Sequence, residues 1–574
     1  MAHQSNSAAQ ANLSIVHGIP LHEEKGLGPL TIGGYAREVT TRHAEREALV
    51  FHGREGVVRW TYAQLWQRSL EVATALIAAG IDKDTRVGVL ITNRPEYMSL
   101  VFGVALAGGV TVPLNTFSTR PELEALLKAS NVSLLVFERQ VANKDFAAIL
   151  SELEPQLIAA EPRALVSREL PFLRRVIMLD DGHARPRAVE SFADFLRAGE
   201  AVDPARVEAR QAAAKPSDVA VLFFSSGSTG LPKGMVHGHR AITLQWWRWP
   251  RLLGVADDVR CWTANGFFWS GNFSLQFGTS FTSGGTAVLQ STFDPEESLS
   301  LFEAERVTIP FFSPHQQARL AAASNFAKVD LSSLRYLDDR SPLMKHPKVK
   351  ARWRQPSSYG TTETLTGCTI HPASDPAEAR PGYGLPLPGN TLKIIDPASG
   401  AVLPRGEHGE IAVKGPTLML GYLGKTADES FDADGYYRTN DGGYVDESGW
   451  LYFEGRLSDI IKCGGALVSP LEVDAAIRTY PGVKITQTIG LTHRTLGEIV
   501  VACLVPHKDT TLDEPTLREH LKQRLASYKI PRRFLFLRDE DVAMTGSDKV
   551  KAGLLRTLAA ERLRGVEPDL LVGS

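Results

Sequence analysis

Ten consecutive residues, Ser225-Ser226-Gly227-Ser228-Thr229-Gly230-Leu231-Pro232-Lys233-Gly234, gather hydroxyls, glycines and one lysine into a single stretch. Glycines at 227, 230 and 234 let backbone N–H groups approach an anion closely, the hydroxyls of Ser225, Ser226, Ser228 and Thr229 are donors, and Lys233 adds positive charge. A polyphosphate suits such a cradle. A flexible surface loop has the same composition, but an ending of Pro-Lys-Gly running straight into the apolar Met235-Val236 is less ordinary for one. The order is not that of a Walker loop, because Lys233 follows Pro232 and precedes a glycine, so a P-loop kinase or GTPase is disfavoured.

Such a loop needs a rigid support, and the run Val219-Ala220-Val221-Leu222-Phe223-Phe224 before it reads as a buried strand. Upstream, residues 30–215 alternate helical patterns with short apolar runs. The spacing predicts a helix over 62–79 opened by a capping box at Thr61-Tyr62-Ala63-Gln64, a strand over 86–91, a helix over 95–106, and apolar runs at 110–114 and 132–137. Alternation of this kind argues for parallel sheets covered by helices. After Pro381, turn residues become dense, and the short runs 391–395 and 410–413 suggest small antiparallel strands. From Arg456 the pattern becomes that of an α+β domain of about 120 residues. It comprises a strand over 459–462, a helix over 470–478, strands over 485–491 and 499–506, and a helix over 514–525.

The bulk numbers fit this division. At 574 residues the chain exceeds what a single core supports. Its 63 basic and 65 acidic residues form no long run of either sign, which removes any electrostatic footprint for nucleic acid. Four cysteines, Cys261, Cys368, Cys463 and Cys503, lie far apart without Cys-x-x-Cys spacing, so no local zinc knuckle is expected and a reducing compartment is. The first twenty residues lack both a basic and an apolar signal region, and a cytoplasmic location is the expectation. The most membrane-like stretch, 97–114, is broken by Gly108-Gly109 and Pro113 and reads as a buried helix followed by a strand, not an integral span.

The run SSGSTGLPKG closely resembles the signature of the adenylate-forming superfamily of acyl-CoA synthetases, peptide-synthetase adenylation domains and beetle luciferases. Further stretches follow in that superfamily's order: Tyr359-Gly360-Thr361-Thr362-Glu363-Thr364, Gly409-Glu410 with Gly421-Tyr422, Tyr437-Arg438-Thr439-Asn440-Asp441, and Gly455-Arg456-Leu457-Ser458-Asp459-Ile460-Ile461-Lys462, with Trp60-Thr61-Tyr62 near the start. The resemblance spans about residues 35–560. It implies an N-terminal extension over 1–30, a large domain over 31–457 of two parallel-type sheets with helices and a small β subdomain, and a mobile α+β domain over 458–574.

The resemblance also implies roles, residue by residue. The 225–234 loop would hold the triphosphate, with Thr229 and Lys233 among the catalytic groups; Glu363 would hold Mg2+, an oxygen ligand of the kind magnesium on phosphates requires. Taken alone, Glu363 would be an ordinary glutamate on a solvated turn. Thr362 would bind the α-phosphate and Tyr359 would stack on adenine, with Gly360 and Thr361 beside them. Asp441 would accept hydrogen bonds from the ribose hydroxyls, with Arg456 near the same sugar. Asn440 stands where a glycine is usual, and asparagine tolerates the left-handed conformation. Ser458 occupies the hinge position, a departure from the usual aspartate or lysine. Lys462, Gly464 and Gly465 would line the pantetheine channel; Cys463 between them has no matched role and reads as structural. Lys549 matches the lysine that bridges carboxylate and α-phosphate, with Lys551 as competitor.

The implied reaction activates a small-molecule carboxylic acid with ATP and passes the acyl group to coenzyme A. A stand-alone enzyme loading a carrier protein, and a non-catalytic nucleotide-binding regulator, are the alternatives. The acyl pocket would be lined by Trp269, Asn272 and Phe273 and by the run Asp338-Asp339-Arg340. Arg340 or Asp339 would there meet a polar or charged group on an unusual acid, or only form a salt bridge beneath the nucleotide. The aromatic run would otherwise be simple core. Neither the acid nor an oligomeric state is legible.

Overall fold

The computed structural model describes residues 12–179, 182, 184–226, 232–376, 381–463, 466–508, 510–525, 527–543, 550–567 and 569–571. The chain divides into two compact units, one of residues 17–391 and 413–437, the other of residues 1–16, 392–412 and 438–574.

In the unit built on 17–391, the described residues form an α/β core of two large sheets. One has eight strands in the order Val189–Ser191, Arg175–Met178, Leu134–Phe137, Arg86–Leu90, Val110–Pro113, Val219–Ser226, Pro232–Gly238 and Gly421–Tyr422. Its first six strands pair parallel. The other has five, in the order Ile309–Pro310, Arg260–Thr263, Thr286–Leu289, Glu47–Gly53 and Gly56–Thr61, parallel except for its last pair. The alternation read from the sequence is thus a pair of parallel-type sheets.

The predicted helix over 62–79 runs Tyr62–Ala78, and Thr61 and Gln64 close the expected capping box. The stretch 97–114 is the helix Pro95–Ala107, buried on every side, ended by Gly108 at φ 84° and followed by the strand Val110–Pro113. Among the described residues no helix is long and apolar enough to cross a membrane.

The second unit holds a five-stranded sheet that contains Thr391–Ile395, Gly409–Lys414, Tyr437–Val445 and Leu451–Arg456, the small β unit expected after Pro381. Its α+β part carries the helix Pro470–Arg478, as predicted, and a long hairpin, Val483–His493 with Gly497–Pro506, that extends the two expected strands and turns at Gly497, φ 76°. The strand expected from 459 begins only at Ile461, because Asp459 and Ile460 both donate their N–H to Arg456 O and keep 457–460 in a turn.

Candidate active site

Strands Val219–Ser226 and Pro232–Gly238 form an antiparallel hairpin that pairs Ser225 with Lys233 and Ser226 with Pro232. Residues 227–231 at its tip, and with them Gly227, Ser228, Thr229 and Gly230, lie outside the described residues. Ser225 turns its hydroxyl into the hairpin, 3.8 Å from Met235 Sδ, where the sequence reading had it face an anion. Lys233 leaves the hairpin on the open side. Its Nζ lies 3.7 Å from the centroid of the Tyr422 ring and 3.9 Å from Glu363 Oε1.

Glu363 sits in the loop of a second hairpin, strands Ser358–Thr361 and Thr366–Ile370. Gly360 is obligatory there: a Cβ on it would fall 1.5 Å from Thr366 O. Met419 N donates to Glu363 O at 2.7 Å, and the Tyr422 hydroxyl donates to Glu363 Oε1 at 2.8 Å. The Tyr422 and Tyr437 hydroxyls are 3.0 Å apart. Burial pushes the Glu363 carboxyl up, but the hydroxyls of Tyr422 and Tyr437 and backbone donors outweigh it and hold the group below the usual glutamate range. A side chain only 12 % exposed is therefore kept ionised. Tyr422 is pushed up, by burial first and then by the negative charge of Glu363. In the sequence Tyr422 and Tyr437 stand within motifs without a role of their own, and position is their one signal.

Beneath this loop, burial lowers His237 to about 4, so its imidazole is neutral and packs edge-on against Phe223. Thr362 Oγ1 accepts from Ser270 Oγ at 3.3 Å. Tyr359, expected to stack on adenine, is buried at 4 % exposure. Leu365 and Thr366, just past Glu363, have φ 51° and 73°, left-handed values that neither side chain favours, each costing about 1–3 kcal/mol.

In the second unit, Asp441 and Arg456 face each other across paired strands, Arg456 Nε 3.0 Å from Asp441 Oδ1. Asp441 is buried, while Arg456 is half exposed and also donates to Thr439 O at 2.9 Å. Asn440 adopts φ 57°, the left-handed conformation for which asparagine was expected to serve in place of glycine. Ser458 is exposed in the 457–460 turn, and its neighbour Asp459 pairs with Arg556 at 2.8 Å. Lys462 is exposed on the strand Ile461–Cys463, and its N–H donates to Glu498 Oε2 at 2.8 Å. All four cysteines are free thiols. Gly464, Gly465 and Lys549 lie outside the described residues; the competitor Lys551 donates its N–H to Ala543 O at 2.9 Å.

The residues expected around the acyl group separate. Phe273 is fully buried and packs against Phe223, Trp246 and Phe277, so it serves the core. Trp269 and Asn272 at the start of the helix Ser270–Ser283 keep part of their surface open. The acidic and basic run satisfies itself. Arg340 makes a two-point pair with Asp338, 2.8 and 2.9 Å, and Asp339 pairs with Arg354 at 2.7 Å. Arg340 and Asp339 are thus each engaged in a salt bridge.

Comparison with known proteins gives these residues a family setting. The AMP-binding enzyme family model matches residues 36–423, and the AMP-binding enzyme C-terminal domain model matches residues 472–549. The chain is 31 % identical to the acyl-CoA ligase SID4 of Ajellomyces capsulatus, over 98 % of this chain and 96 % of that one. It is 31 % identical to a feruloyl-CoA synthase of an Amycolatopsis species, over 88 % of this chain and 94 % of the relative. Among solved structures, ATP-bound MatB from Rhodopseudomonas palustris superposes with a TM-score of 0.72 at 24 % identity, covering 93 % of this chain and 99 % of its own. At that identity the likeness shows the fold.

Proposed function

The chain belongs to the AMP-binding enzyme family, and from that premise we propose how its residues divide a two-step acid–thiol ligation. It is an AMP-forming acid–CoA ligase. A carboxylate oxygen attacks the α-phosphorus of ATP and displaces pyrophosphate, giving an acyl-adenylate; the thiol of coenzyme A then attacks the acyl carbon and displaces AMP, losing its proton. The named relatives over nearly the whole length are CoA ligases, which sets aside the carrier-loading enzyme and the non-catalytic regulator.

The observation that carries the assignment of residues is the group of Lys233, Glu363 and Tyr422. Displacing pyrophosphate demands charge neutralisation and alignment more than covalent help. Lys233, restrained over the Tyr422 ring, supplies a cation for the phosphates. Glu363, kept ionised by tyrosine hydroxyls, is a hard oxygen donor of the kind that holds magnesium on a triphosphate. Magnesium, when bound, neutralises phosphate charge. Thr362 holds the α-phosphate and Tyr359 the adenine; Asp441 accepts from the ribose hydroxyls, oriented by Arg456. Lys549 bridges carboxylate and α-phosphate in the first step, and Lys462 lines the thiol's approach in the second. Ser458 is the pivot between the two steps. The acid carries no second charge, since Asp338, Asp339, Arg340 and Arg354 neutralise one another. The free thiols fit a cytoplasmic site of action.

The test is ATP–pyrophosphate exchange with a panel of monocarboxylic and dicarboxylic acids, followed by addition of coenzyme A. Exchange with an uncharged-tail acid and a CoA thioester as product are expected; exchange with dicarboxylates alone overturns the assignment of the acid. Lys549→Ala is expected to abolish exchange and leave thioester formation from a supplied acyl-adenylate. The reverse pattern, with Lys551→Ala abolishing exchange, moves the role to Lys551.

A further inference from the structure

The loop that carries Glu363 leaves it through two successive residues at positive φ, Leu365 at 51° and Thr366 at 73°. Neither is glycine or asparagine, and threonine is β-branched, so the kink does not follow from local preference. Such backbone persists only where its surroundings over-determine it. Here the surroundings are specific. Gln245, wholly buried on the helix His239–Leu252, donates through Nε2 to Leu365 O at 2.8 Å and to Gly367 O at 2.7 Å, one carbonyl on either side of Thr366. The opposite amide orientation would set an oxygen against two carbonyl oxygens, so the geometry fixes the side chain.

A second leg reaches the same kink. Trp249, one turn along the same helix face, donates from Nε1 to Ser274 Oγ at 2.8 Å; Ser274 Oγ lies 3.1 Å from Thr366 Oγ1, and Thr366 Oγ1 donates to Leu365 O. Since the indole only donates and the Thr366 proton is committed, Ser274 must donate to Thr366, and the three donors point one way. The result is a carbonyl, Leu365 O, that accepts from two side chains, buried Gln245 and half-buried Thr366. Gly367 is the matching recess, where an added Cβ would lie 3.1 Å from Trp249.

We infer that Gln245, seconded by Trp249 and Ser274, is a positioning residue for the adenylation step, holding the kink that sets Glu363 between Tyr422 and Lys233. The inference rests on Glu363 serving that first step. It requires that loss of the clamp be felt in adenylation and not in thioester formation, where no triphosphate is handled.

The experiment compares both half-reactions in Gln245→Leu, which keeps bulk and removes the donors. ATP–pyrophosphate exchange is expected to fall about 30-fold in kcat, with the KM of the acid within about twofold. Thioester formation from a supplied acyl-adenylate is expected to stay within about twofold. Without turnover, calorimetric affinity for the magnesium complex of α,β-methylene-ATP is expected to weaken about tenfold. Adding Thr366→Gly, which adopts φ 73° without a clamp, is expected to recover part of the exchange. Parallel loss of both half-reactions, or an unchanged ratio, overturns the inference. If Gln245→Leu does not fold, Ser274→Ala reads the same ratio on a smaller scale, about threefold, and no shift there overturns it equally. Glu363→Gln separates the two claims. If it spares exchange, the role of Glu363 fails; if it removes exchange while the Gln245 and Ser274 variants do not alter the ratio, only the clamp fails.

Discussion

The loop that carries Glu363 and the turn that carries Ser458 are of similar length, each follows a strand, and they are built in opposite ways. Around Glu363 the bonds are dense: Met419 on its carbonyl, Tyr422 on its carboxylate, Gln245 behind the kink, with the backbone forced into unfavourable φ. Ser458 itself is exposed between half-buried neighbours, two N–H bonds to Arg456 O form the turn, and the partly exposed pair of Asp459 with Arg556 supports it from outside. Local stability follows buried contacts and protected hydrogen bonds. One loop is therefore made to stay, and the other is made so that its φ and ψ can change at small cost.

The sharpest way to break this comparison is at the fixed loop. Glu363→Gln preserves an acceptor for Tyr422 and removes the charge. It is expected to cut ATP–pyrophosphate exchange by about 10²–10³, the scale of losing a preorganised electrostatic group. Exchange within about threefold of the parent enzyme would mean that the rigid loop positions something other than its carboxylate. Next in size is Ser458→Pro. Fixing φ near −65° in the open turn is expected to uncouple the half-reactions, one falling at least about tenfold while the other is retained. Equal overall turnover would show that the open turn is not where the chain pivots.

Much of this was legible in the sequence, and what was not has a common cause. The helix 62–78 with its capping box, the strand before the 225–234 loop and the helix 470–478 follow from local periodicity and caps. Asn440 was readable as a left-handed residue because its own side chain permits it. The strain at Leu365 and Thr366 was invisible, since nothing in either residue favours it; the groups that bond to it include Gln245, some 120 positions earlier in the chain. The same holds for Arg340. Its type suggested recognition of a charged acid, but its pairing with Asp338 depends on the turn between them and only coordinates display it. Motif order points to the candidate site residues, and long-range packing limits what each is free to do.

A smaller effect tests the support of the open turn. The Arg556–Asp459 pair is more than a third exposed on both sides, so solvent screening leaves it worth under about 1 kcal/mol. Its use is directional. By tying Asp459 to the helix Ala552–Leu563, which begins three positions after Lys549, it would confine rotation about the proposed hinge to Ser458 and the residues before it. Arg556→Ala is expected to lower adenylation about threefold relative to thioester formation from a supplied adenylate, with Arg556→Lys intermediate. No change in that ratio would leave the pair a surface contact.

The smallest expected effect is also the most diagnostic of how the two regions are scaffolded, because their buried carboxyls are tuned in opposite directions. Asp474 on the helix Pro470–Arg478 accepts from the Thr486 and Thr488 hydroxyls and from Thr488 N, all at 2.8 Å, yet burial raises it above the usual aspartate range. A carboxyl raised in the folded state contributes stability that is complete below its unfolded pKa of about 3.9 and is lost as pH rises through the raised value. Glu363, held low, does the reverse: its contribution is present above the ordinary glutamate value and is lost as pH falls through its lowered one. Unfolding followed against pH should therefore carry two components of opposite slope. Asp474→Asn, a neutral analogue of the protonated acid, is expected to flatten the component that weakens with rising pH, a change of about 1–3 °C in Tm on the far side of its transition. Glu363→Gln is expected to flatten only the acid-side component. If both variants flatten the same component, the two carboxyls are not tuned in opposite directions.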